Sequence, residues 1–151
     1  MVREKVKIRP FQPADQVTTK QLILDGLAVH WGTLDLSLNP ALNDISRTFS
    51  GQTFLLAVQG ETIVGCGALI EEEGKVGYGR IVRMSVKKEN RRQGIGQLIL
   101  HQLEKAARQR KFHKIVLETT QTWAEVVAFY QANGFHIIGH QNGDTHFEKP
   151  L

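Results

Sequence analysis

Within the run VKKENRRQGIGQL, four basic side chains (Lys87, Lys88, Arg91, Arg92) and two glycines (Gly94, Gly96) fall inside eleven residues. The apolar run RIVRMSV precedes them and the helix-like QLILHQLEKAA follows, so the segment reads strand, loop, helix. The first amides of a helix find no acceptors within it. Together with the helix dipole they form an anion site. Gly94 and Gly96 carry no side chain to hold phosphate oxygens away from the backbone. Arg91 and Arg92 add charge and forked donors. A pyrophosphate suits this arrangement. Two other phosphate loops do not apply. G-x-x-x-x-G-K-S/T fails because Gln97 and Leu98 follow Gly96, and G-x-G-x-x-G fails because position 99 is Ile.

The elements that must position this loop follow from patterning. At 151 residues, 41% apolar and 23% charged, the chain is expected to be one globular domain. A net charge of +4 favours anionic partners without naming them. One cysteine permits no internal disulfide and fits a reducing compartment. Cys66, in the strand-like TIVGCGALI, is expected to be a buried, inert thiol. The opening MVREKVKIRP does not read as a secretory signal. No apolar run approaches the roughly 20 residues of a membrane span, and a cytoplasmic protein is expected.

VKIRPF reads as a first strand, and Pro13-Ala14-Asp15 opens a helical stretch. Asn39-Pro40 reads as a helix start, with Leu42, Ile45 and Phe49 beyond it. TFLLAVQ, TIVGCGALIEE and VGYGRIVRMSV read as three strands joined by turns. Ile95, Leu98, Ile99, Leu103, Ala106 and Ala107 recur at helical spacing. KIVLETT is a strand, TWAEVVAFYQAN a helix closed by Gly134, and FHIIGHQ with THFEKPL a final hairpin around Asn142-Gly143-Asp144. The order β-α-α-β-β-β-α-β-α-β-β predicts an α/β chain whose sheet is mixed, mostly antiparallel and flanked by helices.

Arg91-Arg92-Gln93-Gly94-Ile95-Gly96 matches Arg/Gln-x-x-Gly-x-Gly/Ala, the acetyl-CoA loop of the GNAT N-acetyltransferases. VVAFYQANGF resembles a second segment of that family, with Phe129, Tyr130, Gly134 and Phe135 in place. The chain thus resembles the GNAT family from about Arg80 to His140. RMSV, LETT and Trp123 resemble its camello-like branch or bacterial relatives. The resemblance implies the GNAT acyl-CoA N-acyltransferase fold and an acetyl-CoA-dependent N-acetyltransferase. Acceptors would be a primary amine of a small molecule, an amino acid or a lysine side chain, with direct transfer and no metal. It implies that main-chain groups of the Met84-Ser85-Val86 stretch hold the pantetheine arm and the thioester carbonyl. Amides from Arg91 through Gln97, among them Ile95, cradle the pyrophosphate, and Phe129 and Tyr130 border the cofactor. The family usually has Asn where this chain has Trp123. A monomer or homodimer is expected, with neither nucleic acid nor membrane as partner. The alternative is a non-catalytic acyl-CoA sensor on the same fold.

Transfer to an amine needs a neutral nitrogen, a donor for the carbonyl oxygen as it turns negative, and a proton for the thiolate. Tyr130, whose phenol can share a proton with sulfur, is the expected general acid. Glu118, in the strand beside the cleft, is the candidate base. Glu71, Glu72 and Glu73 read as solvated turn carboxylates, and His136 and His140 as hairpin residues. Arg83 is expected on the face opposite Val82 and Met84, where it either holds an acceptor carboxylate or pairs with Glu118. The resemblance puts Trp31 where the family's first helices border the acceptor pocket, where it either shapes that pocket or closes the core. The six histidines show no metal-ligand spacing.

Overall fold

The computed structural model describes residues 5–31 and 40–151, and the side chains of 28–31 lie outside that description. The elements run β1 (Val6–Pro10), α1 (Gln16–Trp31), α2 (Ile45–Thr48), β2 (Thr53–Gln59), β3 (Thr62–Glu71), β4 (Tyr78–Val86), α3 (Ile95–Gln109), β5 (Lys114–Thr120), α4 (Ala124–Ala132), β6 (His136–Gln141) and β7 (Asp144–Pro150). Among the described residues the strands form one seven-stranded sheet in the order β1-β2-β3-β4-β5-β7-β6. Every neighbouring pair is antiparallel except β4 and β5, which are parallel and joined through α3. A parallel pair requires such a crossover, whereas the antiparallel pairs β2–β3, β3–β4 and β6–β7 close through short turns. At the last of these turns Asn142 and Gly143 both take left-handed backbone, φ 53° and 81°, as a two-residue hairpin requires.

The expected order of elements holds, with one local correction. The helix read after Asn39-Pro40 is two short pieces, a 3-10 turn over Pro40–Asn43 and the single turn of α2. Asp44 divides them, because its carboxylate accepts the Arg47 amide at 3.2 Å and starts a new helix as an N-cap. Asn39 lies outside the described residues.

Two apolar cores lie on opposite faces of the sheet. Ile95, Ile99, Leu100 and Leu103 of α3 meet Ile81, Ile115, Leu117, Tyr130 and Phe147 on one face. Leu22, Ile23 and Leu24 of α1 meet Ile45, Phe54, Leu56, Cys66 and Ala68 on the other. β3 is therefore buried on both sides. Gly67 allows α3 to lie close, since a Cβ there would stand 2.9 Å from Ile99 Cγ2 and 2.4 Å from Met84 Sδ. Leu98, read as apolar-face, is 36% exposed, and Leu100 is buried in its stead.

A charged pair ties α3 to the end of the sheet. Glu104, 5% exposed, receives Lys149 Nζ at 2.9 Å, and the same ammonium donates to the Asn133 carbonyl at 2.9 Å. Removing one partner strands the other charge. Lys149→Met is expected to lower unfolding free energy by about 3 kcal/mol in urea melts. The double change Glu104→Leu, Lys149→Met is expected to recover most of that loss.

Candidate active site

The site begins with a bulge in β4. Ala68 pairs with Val82 and Cys66 with Ser85, so two residues of β4, Arg83 and Met84, stand opposite the one residue Gly67 of β3. Arg83 takes left-handed backbone, φ 58°, and absorbs the extra residue. The bulge shifts side-chain parity: Val82 packs into the α1 core, while Met84 and Val86 pack into the α3 core. The simple alternation expected for RIVRMSV, with Val82 and Met84 on one face, is thereby corrected.

Beside the bulge the sheet opens. β4 and β5 share only the pairs Tyr78–Lys114, Gly79–Ile115 and Arg80–Val116. Beyond these β5 pairs with β7 alone. The Lys87 amide donates to the Val64 carbonyl at 2.8 Å. Main-chain groups along a strand point to alternate edges. The polar groups of Met84 and Val86 therefore face the open side, and those of Ser85 face β3. Ser85 does not join the cleft with its side chain either, since its Oγ lies 2.7 Å from where a Cβ on Gly26 of α1 would stand.

At the mouth of the opening lies the basic loop. Gly94, at φ 81°, is the N-cap of α3 and supplies no side-chain cap. Among the described residues, the amides of Arg92, Gln93, Gly94, Ile95, Gly96 and Gln97 donate to no protein acceptor; the helix ladder starts at Leu98, bonded to the Gly94 carbonyl at 3.0 Å. Six successive unpaired donors at a helix start make a cradle for an anion. Nothing lies within 4 Å of a Cβ placed on Gly94, whereas one on Gly96 would meet the Phe129 ring at 3.4 Å. Phe129 thus seats α4 against the start of α3. Arg91 bonds back through Nε to the Val86 carbonyl at 3.2 Å. Arg92 is fully exposed and meets Glu125 at 3.2 Å, a surface pair of little energetic weight.

On the α3 face Tyr130 is 6% exposed and packs edge-on against Phe129 at 5.1 Å and Phe135 at 5.6 Å. Its hydroxyl bonds to no described residue. Nor is it sealed, since Thr19 holds the one sealed, unpartnered side-chain oxygen or nitrogen among the described residues. Burial pushes the phenol well above the ordinary tyrosine range, so it remains a proton donor at neutral pH. Glu118 lies on the opposite face from Leu117. Its arginine partner is Arg80, not Arg83. Arg80 also binds Glu72 at 2.5 Å, and His146, directly across the β5–β7 ladder, places Nδ1 3.6 Å from Glu118. Glu72 is therefore an ion-pair member and not the free turn carboxylate expected.

Cys66 is fully buried, its thiol donating to the Arg83 carbonyl at 3.2 Å, and burial pushes its pKa up to about 12. Arg83 is half-buried, which lowers its guanidinium pKa from the usual value. Trp31 is the last residue of α1, and its side chain lies outside the described residues. His136 and His140 are exposed on β6, His140 bonding Thr145 Oγ1 at 3.1 Å. Among the described residues no cluster of His, Cys, Asp or Glu has metal-binding geometry. No described helix is long and apolar enough to cross a membrane. Sequence reading missed Arg80 and His146. The signal available was their alternation with core residues, Arg80 with Ile81 and His146 with Phe147, but their meeting with Glu118 depends on register.

An opened mixed sheet with an anion cradle at the seam suits a protein that binds a long anionic ligand. The profile of the Acetyltransferase (GNAT) family matches residues 19–135, and the chain belongs to that family. An IAA acetyltransferase of Azospirillum brasilense is 40% identical over 83 residues, 54% of this chain and 53% of the relative. N-acetyltransferase 8B of Homo sapiens is 28% identical over 112 residues, 70% of this chain and 49% of the relative. The matched stretches thus span about half the length of these two relatives. Among solved structures, a GNAT acetyltransferase of Staphylococcus aureus superposes with TM-score 0.87 at 21% identity, covering 97% of this chain and 99% of that one. The PaiA N-acetyltransferase of Thermoplasma acidophilum, solved with coenzyme A, gives 0.85 at 20% identity, covering 97% and 99%. These superpositions show the shared fold.

The buried phenol has a measurable consequence at alkaline pH. Its folded pKa is raised, so its contribution to stability is intact below the unfolded tyrosine value of about 10 and is lost as pH rises from there toward the folded value. In a Tyr78→Phe background, phenolate absorbance is expected to appear only as the chain unfolds. Adding Tyr130→Phe should flatten the loss of stability above about pH 10.

Proposed function

We propose that this chain is an acetyl-CoA-dependent N-acetyltransferase that moves an acetyl group directly to a primary amine. The observation that carries the reading is the run of acceptor-free amides from Arg92 to Gln97, set where β4 parts from β5. That cradle suits the pyrophosphate of coenzyme A, and the Thermoplasma protein of the same fold was solved with coenzyme A bound. The outward main-chain groups of Met84 and Val86 suit the amide-rich pantetheine arm, and the thioester would then lie in the gap between the strands. The Azospirillum relative's name favours a small-molecule acceptor.

Within the gap the two faces of the sheet communicate. Tyr130 stands on the α4 side and Glu118 on the other. As the amine attacks the thioester carbon, negative charge grows on the carbonyl oxygen and then on sulfur. Main-chain donors of β4 suit the first, and the Tyr130 phenol suits the second as general acid. Glu118 supplies negative charge on the side from which an ammonium would arrive. Arg83, exposed in part at the bulge, suits the carboxylate of an amino-acid-like acceptor.

Two measurements test this reading. Gly94→Glu places a carboxylate in the cradle, and calorimetry is expected to show coenzyme A affinity reduced by about a hundredfold or more. Unchanged affinity would remove the loop assignment. Tyr130→Phe is expected to lower kcat for thiol release by about a hundredfold while the KM for acetyl-CoA stays within about twofold. Acetyl-CoA binding without turnover on any amine would favour a sensor over an enzyme.

A further inference from the structure

We propose that His146 takes the proton from the incoming ammonium, with Glu118 orienting it and Arg80 fixing Glu118. The inference rests on the transferase reading and assigns its base. Glu118 lies two residues past the last β4–β5 pair, Arg80–Val116, and so sits on the lip of the gap. Its Oε2 is already bonded to the Arg80 guanidinium, which fixes the carboxylate in place beside the gap. His146 faces Glu118 in register across β7, with Nδ1 at 3.6 Å from Oε2 and a third of its side chain exposed. That separation is longer than a hydrogen bond, so the neutral ring lies beside the carboxylate within its field. A proton on Nδ1, turned toward Glu118, leaves Nε2 with a free lone pair. The carboxylate then stabilises the imidazolium that forms, the logic of a carboxylate–histidine pair in hydrolases.

The charged groups facing this imidazole come from four strands. Glu118 and Lys114 lie on β5, and Arg80, carrying Glu72 with it, on β4. Asp144 and Glu148 flank His146 at two-residue spacing on β7, with Lys114 bound to Glu148 at 3.3 Å. His136 of β6 stands opposite Glu148.

The proton count closes. An ammonium brings three protons. One passes to His146 Nε2 and on to water, freeing the lone pair. The nitrogen then bonds the acetyl carbon and the C–S bond breaks. The second proton leaves the nitrogen for water, while Tyr130 gives its proton to sulfur and regains one from water, giving free thiol. The third stays on the amide.

The test is the pH profile of kcat/KM, read as thiol release from acetyl-CoA with a panel of amines of differing basicity. Wild-type activity is expected to level off above neutrality. His146→Gln is expected to fall about a hundredfold at neutral pH. It should then climb about tenfold per pH unit toward each amine's own pKa, because only amine already neutral in solution can react. Coenzyme A affinity and the Tm should match wild type, and free imidazole should restore part of the activity of His146→Ala. A His146→Gln profile that overlays wild type would overturn the proposal. So would a climbing profile in Glu118→Gln that His146→Gln lacks, which would make Glu118 the base. Coenzyme A binding by the wild-type chain with no turnover on any amine would instead sink the transferase reading, and this proposal with it.

Discussion

The parting of β4 from β5 is the constraint on which the rest of the site depends. A sheet satisfies its main-chain groups by pairing, and an interior strand that gives up half its ladder leaves several of them unmet. The bulge at Arg83 makes the separation possible, because the added residue bends β4 away and rotates its outward groups into the gap. α3 then starts at the mouth of that gap with its own unpaired amides. Two sets of unmet donors, one from a strand edge and one from a helix start, converge on a single channel. A long ligand with amide groups and a diphosphate answers both.

In the transfer proposed above, the same opening would let opposite faces of the sheet act on one substrate. Tyr130 is held among Phe129, Phe135 and Phe147 on the α4 side, a setting that keeps its proton in place. Glu118, Arg80 and His146 lie on the far side, in a polar cluster that no described core reaches. Elsewhere the packed sheet separates these chemistries. On the proposed mechanism, acid and charge are thereby kept in unlike surroundings, one dry and one wet, while serving one reaction.

The cradle was legible in the sequence because it is local: Arg92 to Gln97 are contiguous, and Gly94 takes the left-handed backbone that glycine tolerates. Only the Arg91 amide departs from the expected run, being taken by the Lys88 carbonyl at 3.3 Å. The order of strands and helices was legible for a similar reason, since each element's period is written within it. The bulge was hidden because Arg83 gives no sign of a positive φ, and RIVRMSV reads as an ordinary alternating strand. The Arg80–Glu118–His146 cluster was hidden because it draws on three strands, and pairing register decides which side chains meet. The split at Asp44 lay in plain view as a capping residue, but the flanking apolar spacing reads through it.

The brevity of the β4–β5 ladder has a mechanical consequence. Three residue pairs join the first four strands to the last three. What holds the halves together across that seam is chiefly the apolar layer under α3, where Ile81 and Leu69 share a core with Ile115, Leu117 and Phe147. Hydrocarbon contact of that kind slackens in the cold and tightens under excluded cosolutes, unlike a hydrogen-bonded ladder. The seam is thus the part of the molecule whose grip should follow solvent conditions most closely, and on the proposed reading it is also the part that admits the long arm of a cosubstrate.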